Sequence, residues 1–275
     1  MATETKPTKN EKPEQTKRPR ALVTGASSGI GAEFARQLAQ RGYDLVLVAR
    51  RRDRLEQMAR ELGGNVEVID ADLSTQAGVD TITSRLGKAD IDMLINNAGF
   101  GTNGEFTGLP LDRELQEIDL NVRALTQLCH AALMPMKEKE AGTIINVGST
   151  GAFQPVPYMA TYAATKAYIL FLSEALHEEA KTYGVTVTCL CPGLTRTEFH
   201  AVAGVNTNTA ALRSGWATPE KVVKSALRAA KSGSALAVPG GINKMTANLP
   251  RLAPRFMVRK ISGAMFKRSA EKSEK

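Results

Sequence analysis

The reading of this chain turns on Arg20-Ala-Leu-Val-Thr24-Gly25-Ala-Ser27-Ser28-Gly29-Ile30-Gly31. Ala21, Leu22 and Val23 form a short apolar run of the kind buried in a parallel sheet, and residues 32–40 carry a helical pattern behind it. Gly25, Gly29 and Gly31 therefore fall at a strand-to-helix junction. Glycine there permits a tight turn, close approach of the backbone to a bound group, and close packing of helix on strand. The helix N-terminus adds free N–H groups and the positive end of a dipole, which suit a phosphate. A glycine turn can also close with no ligand, so the residues downstream must decide.

Downstream, short apolar runs alternate with helical patterns, the sign of successive strand–helix–strand units and a parallel sheet. Further strands are predicted at 45–49, 66–69, 93–96, 143–147 and 185–190, with a short seventh at 235–238. Helices are predicted over 32–40, 52–62, 112–139, 158–183 and 219–232. There is no internal repeat and no second core. The expected fold is α/β: one doubly wound parallel sheet of Rossmann type, a single domain over 20–243. Ligands of such sheets sit outside the carboxyl ends of the strands.

A chain of 275 residues with 43% hydrophobic content can bury a sizeable core. No apolar run approaches the ~18 residues of a membrane-spanning helix, and the Lys-, Glu-, Thr- and Pro-rich start lacks the apolar segment of a secretory signal. Cys129, Cys189 and Cys191 offer no disulfide framework. Cys189 and Cys191 share one strand face and read as buried thiols, which points to a reducing, cytoplasmic setting with no metal. The formal charge of +8 is uneven. Residues 1–20 hold six Lys/Arg and three Asp/Glu, residues 244–275 nine and two, and the body between them 21 and 23. The basicity therefore belongs to the ends: a disordered tail over 1–19 and a partly helical extension over 244–275. No basic face with a recognisable motif argues for nucleic acid.

The run Tyr162-Ala-Ala-Thr-Lys166 carries the chemistry. A helix brings residues i and i+4 onto one face, so an ammonium stands beside a phenol. A nearby cation favours the phenolate, so Tyr162 is expected below its ordinary pKa of about 10 and able to give or take a proton. Ser149 lies thirteen residues before Tyr162.

Taken in order, Thr24–Gly31, Asp72, Asn96-Asn97-Ala98-Gly99, Asn121, Ser149, Tyr162/Lys166 and Pro192-Gly193 make the chain resemble the short-chain dehydrogenase/reductase family over about 20–240. Its chain end resembles the hydroxysteroid dehydrogenase and ketoacyl reductase branch. The resemblance implies hydride transfer between a nicotinamide and a carbonyl or hydroxyl carbon. It implies a catalytic set in which Tyr162 is the general acid/base, Ser149 steadies the substrate oxygen, Lys166 holds the nicotinamide ribose and lowers the tyrosine pKa, and Asn121 links the lysine to water. It implies cofactor contacts from Gly25, Ser27, Ser28, Gly29 and Ile30; from Asp72 and Leu73 at the adenine; from Asn97, Ala98 and Gly99; from Tyr162 and Lys166; and from Pro192, Gly193, Thr195 and Thr197 around the carboxamide. Two positions depart from the usual pattern: Gly148 precedes Ser149 where a second Ser is common, and Ala124 stands where Gly is common. Neither removes a catalytic group.

The second strand ends at Ala49 and is followed by Arg50 and Arg51, where a cofactor lacking a 2′-phosphate would meet a carboxylate. A guanidinium suits a phosphate dianion, so NADP(H) is expected, with Arg50 the main ligand and Ser27 or Arg51 as helpers. The competing view is that both arginines open a solvated helix. Phe100, Phe106, Phe153, Pro155, Val156, Tyr158, Met159 and Phe199 fall near the expected mouth and point to an apolar ketone, aldehyde or secondary alcohol, or else are core and lid contacts. Residues 201–216 correspond to a mobile lid. After Pro254, a basic helix would gather Met257, Val258, Ile261, Ala264 and Met265 for its own domain, a second subunit or a membrane surface. The long helices around Asn121 and Tyr162 resemble those that pair family members, so a homodimer or homotetramer is expected. The alternatives to an enzyme are a non-catalytic NADP(H)-binding regulator and a membrane-surface adaptor on the same scaffold.

Overall fold

The computed structural model describes residues 18–199, 203 and 216–270. The expected basic tail, for residues 1–17, and most of the expected lid lie outside these. Seven strands form one parallel sheet: β1 (Arg20–Thr24), β2 (Asp44–Ala49), β3 (Val66–Asp70), β4 (Met93–Asn96), β5 (Gly142–Val147), β6 (Val185–Leu190) and β7 (Leu236–Ala237). Their order is β3-β2-β1-β4-β5-β6-β7. The chain winds outward first one way and then the other, so β1 and β4, paired through Leu22 and Leu94, flank the point of reversal.

Both sheet faces are buried, which is why the strands read as unbroken apolar runs. Leu22, Val46, Val48, Leu94 and Ile144 face one way, against Val79, Ile82, Leu128 and Ile169. Those last four belong to α3 (Gln76–Leu86), α5 (Leu125–Glu138) and α6 (Ala160–Ala180). Ala21, Val23, Leu45, Leu47, Ile95 and Ile145 face the other way, against Phe34, Leu38, Leu55, Val222 and Val223. Those five come from α1 (Gly29–Gln40), α2 (Arg52–Leu62) and α7 (Pro219–Lys231).

The helix predicted over 112–139 is built differently. Between α4 (Leu111–Ile118) and α5, residues Asp119–Ala124 widen into a π-helical turn that contains Asn121. Such single-turn widenings often mark functional sites. At the chain end, α8 (Gly241–Leu252) crosses the boundary expected at 243, and α9 (Arg255–Ala270) follows it. The α9 contact with the body runs through Ser262, whose hydroxyl donates to Pro155 O at 2.8 Å. Met257 and Ile261, two of the residues expected to gather on one side of this helix, are exposed. The Met265 side chain lies outside the described residues. Among those residues no helix is long and apolar enough to cross a membrane.

The junction between β1 and α1 leaves no room for side chains. Gly25 has φ +64°, and a Cβ on Gly31 would lie 2.3 Å from Gly25 O and 2.4 Å from Asn97 Nδ2. Gly31→Ala is expected to cost about 2–3 kcal/mol in urea unfolding, because backbone must move. Gly108→Ala, with nothing within 4 Å of the new atom, should stay within about 0.5 kcal/mol. Equal losses in the two variants would show that the turn is not packed this way.

Candidate active site

A cavity of about 650 Å³ opens at the carboxyl end of the sheet, over the reversal point. One end is the glycine turn. Ser28 caps α1 from an extended backbone with no side-chain hydrogen bond to the helix, so the first-turn N–H groups are left for a ligand. Gly25, Ser27, Ser28, Gly29 and Ile30 all line this end. The turn is tied to β4: Asn97 Nδ2 donates to Thr24 O at 2.9 Å and Gly25 O at 3.3 Å, while Thr24 Oγ1 accepts from Asn97 N and Ala98 N. An uncapped helix end above a glycine cradle fits a dinucleotide pyrophosphate.

At the end of β2 the two arginines diverge. Arg51 lies across the glycine turn, with Nη2 donating to Ser27 Oγ at 3.0 Å and Ser28 Oγ at 3.1 Å and Nη1 meeting Glu198 Oε2 at 3.1 Å. Arg50 reaches only a loose pair with Asp72, Nη1 to Oδ2 at 3.9 Å, and its side chain is 69% exposed. The helper of the sequence reading is thus the residue already joined to Ser27. Asp72 Oδ1 accepts from the Ser74 backbone and hydroxyl, which orients the carboxylate at the cavity edge beside Leu73.

The other end gathers Ser149, Tyr162 and Lys166 with Gly99, Pro192, Gly193, Thr195 and Thr197. Ser149 Oγ accepts from Gly151 N at 3.0 Å and shares a hydrogen bond with the Tyr162 side chain. Lys166 Nζ donates to Val147 O at 2.8 Å and stands 5.7 Å from the centre of the Tyr162 ring. Asn121 does not reach the cavity. It is buried behind the wall, donating to Phe100 O at 2.9 Å and Thr165 Oγ1 at 3.1 Å, and a Cβ on Gly99 would lie 2.8 Å from its Oδ1. Of the expected pocket side chains, Phe100, Val156, Met159 and Phe199 line the cavity, and the Phe199 ring lies 5.4 Å from that of Tyr162. Phe106, Phe153, Pro155 and Tyr158 do not; Tyr158 sits at φ +68° with its carbonyl bound to Gly104 N. Thr246 and Ala247 of α8 complete the lining, which ties the chain end to the site.

Burial reverses one electrostatic expectation. Desolvation pushes the Tyr162 phenol up to about 12, with the Glu117 charge adding to it and the Ser149 hydrogen bond opposing. The same burial pushes the Lys166 ammonium down to about 8. Lys166 is directed at a backbone carbonyl, and the apolar surroundings weaken its own charge. In this site the ammonium therefore does not bring the phenol below its ordinary value.

A family model described as short chain dehydrogenase matches residues 19–207. An uncharacterised oxidoreductase of Staphylococcus epidermidis is 34% identical over 181 residues, covering 64% of this chain and 78% of the relative. A very-long-chain 3-oxoacyl-CoA reductase of Bos taurus is 33% identical over 218 residues, covering 76% and 67%. Among solved structures, a short-chain dehydrogenase from Sphingobium yanoikuyae in complex with NADPH superposes with a TM-score of 0.77 at 34% identity, over 86% of this chain and 97% of that one. A bulky-bulky ketone specific alcohol dehydrogenase from Comamonas testosteroni gives 0.73 at 33%, over 85% and 92%.

Sequence reasoning missed Glu117. It lies four residues before Asn121 on α4 and is fully buried. Its Oε2 accepts from Thr102 Oγ1 at 3.0 Å, and its Oε1 has no partner. The neighbouring Glu114 accepts from Thr161 and also leaves Oε1 unpartnered. Burial drives the Glu117 carboxyl up to about 7, with Glu114 reinforcing and Thr102 and Lys166 opposing. The only signal in the sequence was a glutamate among several on an amphipathic helix. With the folded pKa above the ordinary 4.5, this stability contribution is whole below about 4.5 and is lost as pH rises through about 7. The loss amounts to at most about 3 kcal/mol. The Lys166 contribution has the opposite sense, present above 10.5 and already lost below about 8. A fall in Tm between about pH 4.5 and 7 should therefore follow Glu117, and Glu117→Gln should flatten it. An unchanged slope in that variant would move the titration to another group.

Proposed function

The chain belongs to the short-chain dehydrogenase family, and within it we propose an NADP(H)-dependent oxidoreductase that moves hydride between the nicotinamide and the carbonyl or hydroxyl carbon of an apolar ketone, aldehyde or secondary alcohol. One observation carries the reading: Ser149, Tyr162 and Lys166 share a cavity with the glycine cradle, and Asn121 stands directly behind them. The relatives agree in kind, since one solved neighbour is an NADPH complex and another acts on bulky ketones.

The bound nicotinamide supplies or accepts the hydride. Tyr162 protonates the substrate oxygen in reduction and takes the proton back in oxidation. A phenol pushed up to about 12 stays protonated at neutral pH, which suits the reductive direction. Ser149 Oγ accepts from Gly151 N and its hydroxyl lies toward Tyr162, so a substrate oxygen beside the phenol would take the serine hydrogen in place of the phenol. Lys166, brought to about 8, can exchange a proton near neutral pH and so restore the one that Tyr162 gives up. Asn121 holds the corner between Phe100 and Thr165 beside that lysine. Phe100, Val156, Met159 and Phe199 supply the apolar walls that would favour a substrate of low polarity.

For the cofactor, Ala49 ends β2 where a carboxylate would meet an unphosphorylated ribose, and Arg50, Arg51 and Ser27 line the cavity where they would hold a 2′-phosphate. The exposed Leu111, Leu115, Ile118, Met134 and Phe171 on α4, α5 and α6 support a homodimer or homotetramer joined through these helices.

Tyr162→Phe should lower kcat by about 10²–10⁴-fold in a carbonyl screen, with NADPH binding by fluorescence titration retained. Turnover surviving the change would remove Tyr162 from its role. Binding without turnover in the native protein, across a broad panel, would leave a regulator. Arg50→Ala and Arg51→Ala should each weaken NADPH about tenfold or more while leaving NADH nearly unchanged. Native protein preferring NADH would overturn the cofactor assignment.

A further inference from the structure

Each of the last two helices leaves three large apolar side chains exposed. On α8, Ile242, Met245 and Leu249 fall at i, i+3 and i+7 and are 73%, 65% and 59% exposed. On α9, Phe256, Met257 and Ile261 are 55%, 44% and 64% exposed. Large apolar side chains left exposed at this density along one stretch of chain suit an interaction surface. The charge over the same stretch has one sign. From residue 241 to 270 there are seven Lys/Arg, at 244, 251, 255, 259, 260, 267 and 268, and no Asp or Glu. Arg255, Arg259 and Lys260 are exposed beside the apolar side chains.

These helices are also fixed to the body. Ser262 of α9 is buried against Pro155, and a Cβ on Gly193 would lie 2.6 Å from Asn243 of α8. Ala247, on the inner side of α8, lines the cavity. One helix therefore presents one side to the site and the opposite side to the outside.

We propose that α8 and α9 form a docking surface for the face of an anionic lipid bilayer, with Ile242, Met245, Leu249, Phe256, Met257 and Ile261 entering the headgroup–acyl boundary and the basic side chains meeting lipid phosphates. Large apolar groups need a nonpolar phase, and long basic side chains can keep their charged ends at the headgroups while their stems lie along it. A second copy of this chain fits the face poorly, because a two-fold contact would set the exposed Arg255, Arg259 and Lys260 of one copy against the same cations of the other. An acidic protein or a polyanion would match the charge and leave the apolar groups unused. The docking places one wall of the cavity at the lipid surface, a short route for an apolar substrate. The proposal stands apart from the catalytic reading, since vesicle binding does not depend on turnover.

The test is co-sedimentation of the full chain with neutral phosphatidylcholine vesicles and with vesicles containing phosphatidylserine, alongside turnover of a water-soluble carbonyl compound and mass by light scattering. Binding is expected to the anionic vesicles, to weaken with salt, and to fall about tenfold or more in Arg255→Glu/Arg259→Glu/Lys260→Glu and in Met245→Ser/Met257→Ser/Ile261→Ser. Turnover of the soluble compound should be unchanged in both variants. No binding of the full chain to anionic vesicles overturns the proposal. So does binding that the serine variant retains in full, which would mean charge alone, or a drop in oligomer mass in the serine variant of a chain that ignores vesicles, which would assign the face to a second copy.

Discussion

The side chain of Asn97 is the joint on which the cavity depends. Its amide donates to the carbonyls of Thr24 and Gly25, and the Thr24 hydroxyl accepts from the Asn97 and Ala98 backbone. These bonds fasten the end of β1 to the end of β4 where the strand order reverses, so the two chain ends cannot splay. With them fixed, Gly25 must turn at φ +64° and Gly31 must approach Gly25 O too closely for any side chain. The α1 N-terminus is thereby aimed into the crevice with its N–H groups uncapped. On the other side of the joint, Gly99 brings the backbone against Asn121 and Lys166. The glycine-turn end and the Ser149–Tyr162–Lys166 end of the cavity both rest on one asparagine.

Burial then decides the electrostatics of the second end. Three ionisable groups, Glu117, Tyr162 and Lys166, lie out of water on α4 and α6, and each is pushed toward its neutral form. A site of this kind resists holding charge, and charge introduced beside it acts strongly because little water screens it. Glu117 raises the Tyr162 phenol and supports the Lys166 ammonium, so the carboxyl opposes loss of a proton from either. Its unpartnered oxygen, one of three such buried side-chain atoms among the described residues, marks the acid as a tension that packing tolerates.

What was legible in the sequence follows from what burial imprints on residue type. Strands covered on both faces become apolar runs, so the predicted strands at 93–96 and 185–190 coincide with β4 and β6. The motif residues were legible because their spacing is fixed by the turn and by one helix face. The π-helical turn at Asp119–Ala124 was not, since shifting a hydrogen bond by one residue leaves no mark on an amphipathic pattern. Neither was the division of labour between Arg50 and Arg51, because adjacent residues on an irregular segment diverge by a torsion that composition does not encode. Tyr158 and Phe106 read as pocket residues because aromatic type suggests a wall, yet the backbone turns them away from it. Glu117 was hidden for the converse reason: a charged side chain on a helix rich in charges reads as solvated, and only packing reveals it as interior.

The chain end joins both themes. A helix that belonged only to the core would carry its apolar residues on one side, with Asn243 and Ala247 as the inward pair. Instead α8 is apolar outward as well, at Ile242, Met245 and Leu249. Nothing in the packing of the sheet requires those three residues, since the body closes its two apolar layers without them. Exposed large side chains weaken solubility and contribute nothing to the fold, which is the ground for the proposed contact outside it. The absence of any Asp or Glu across the same thirty positions narrows that contact to something negatively charged. Because the inner side of the same helix borders the cavity, whatever meets the outer side is one helix diameter from the site, about 10 Å.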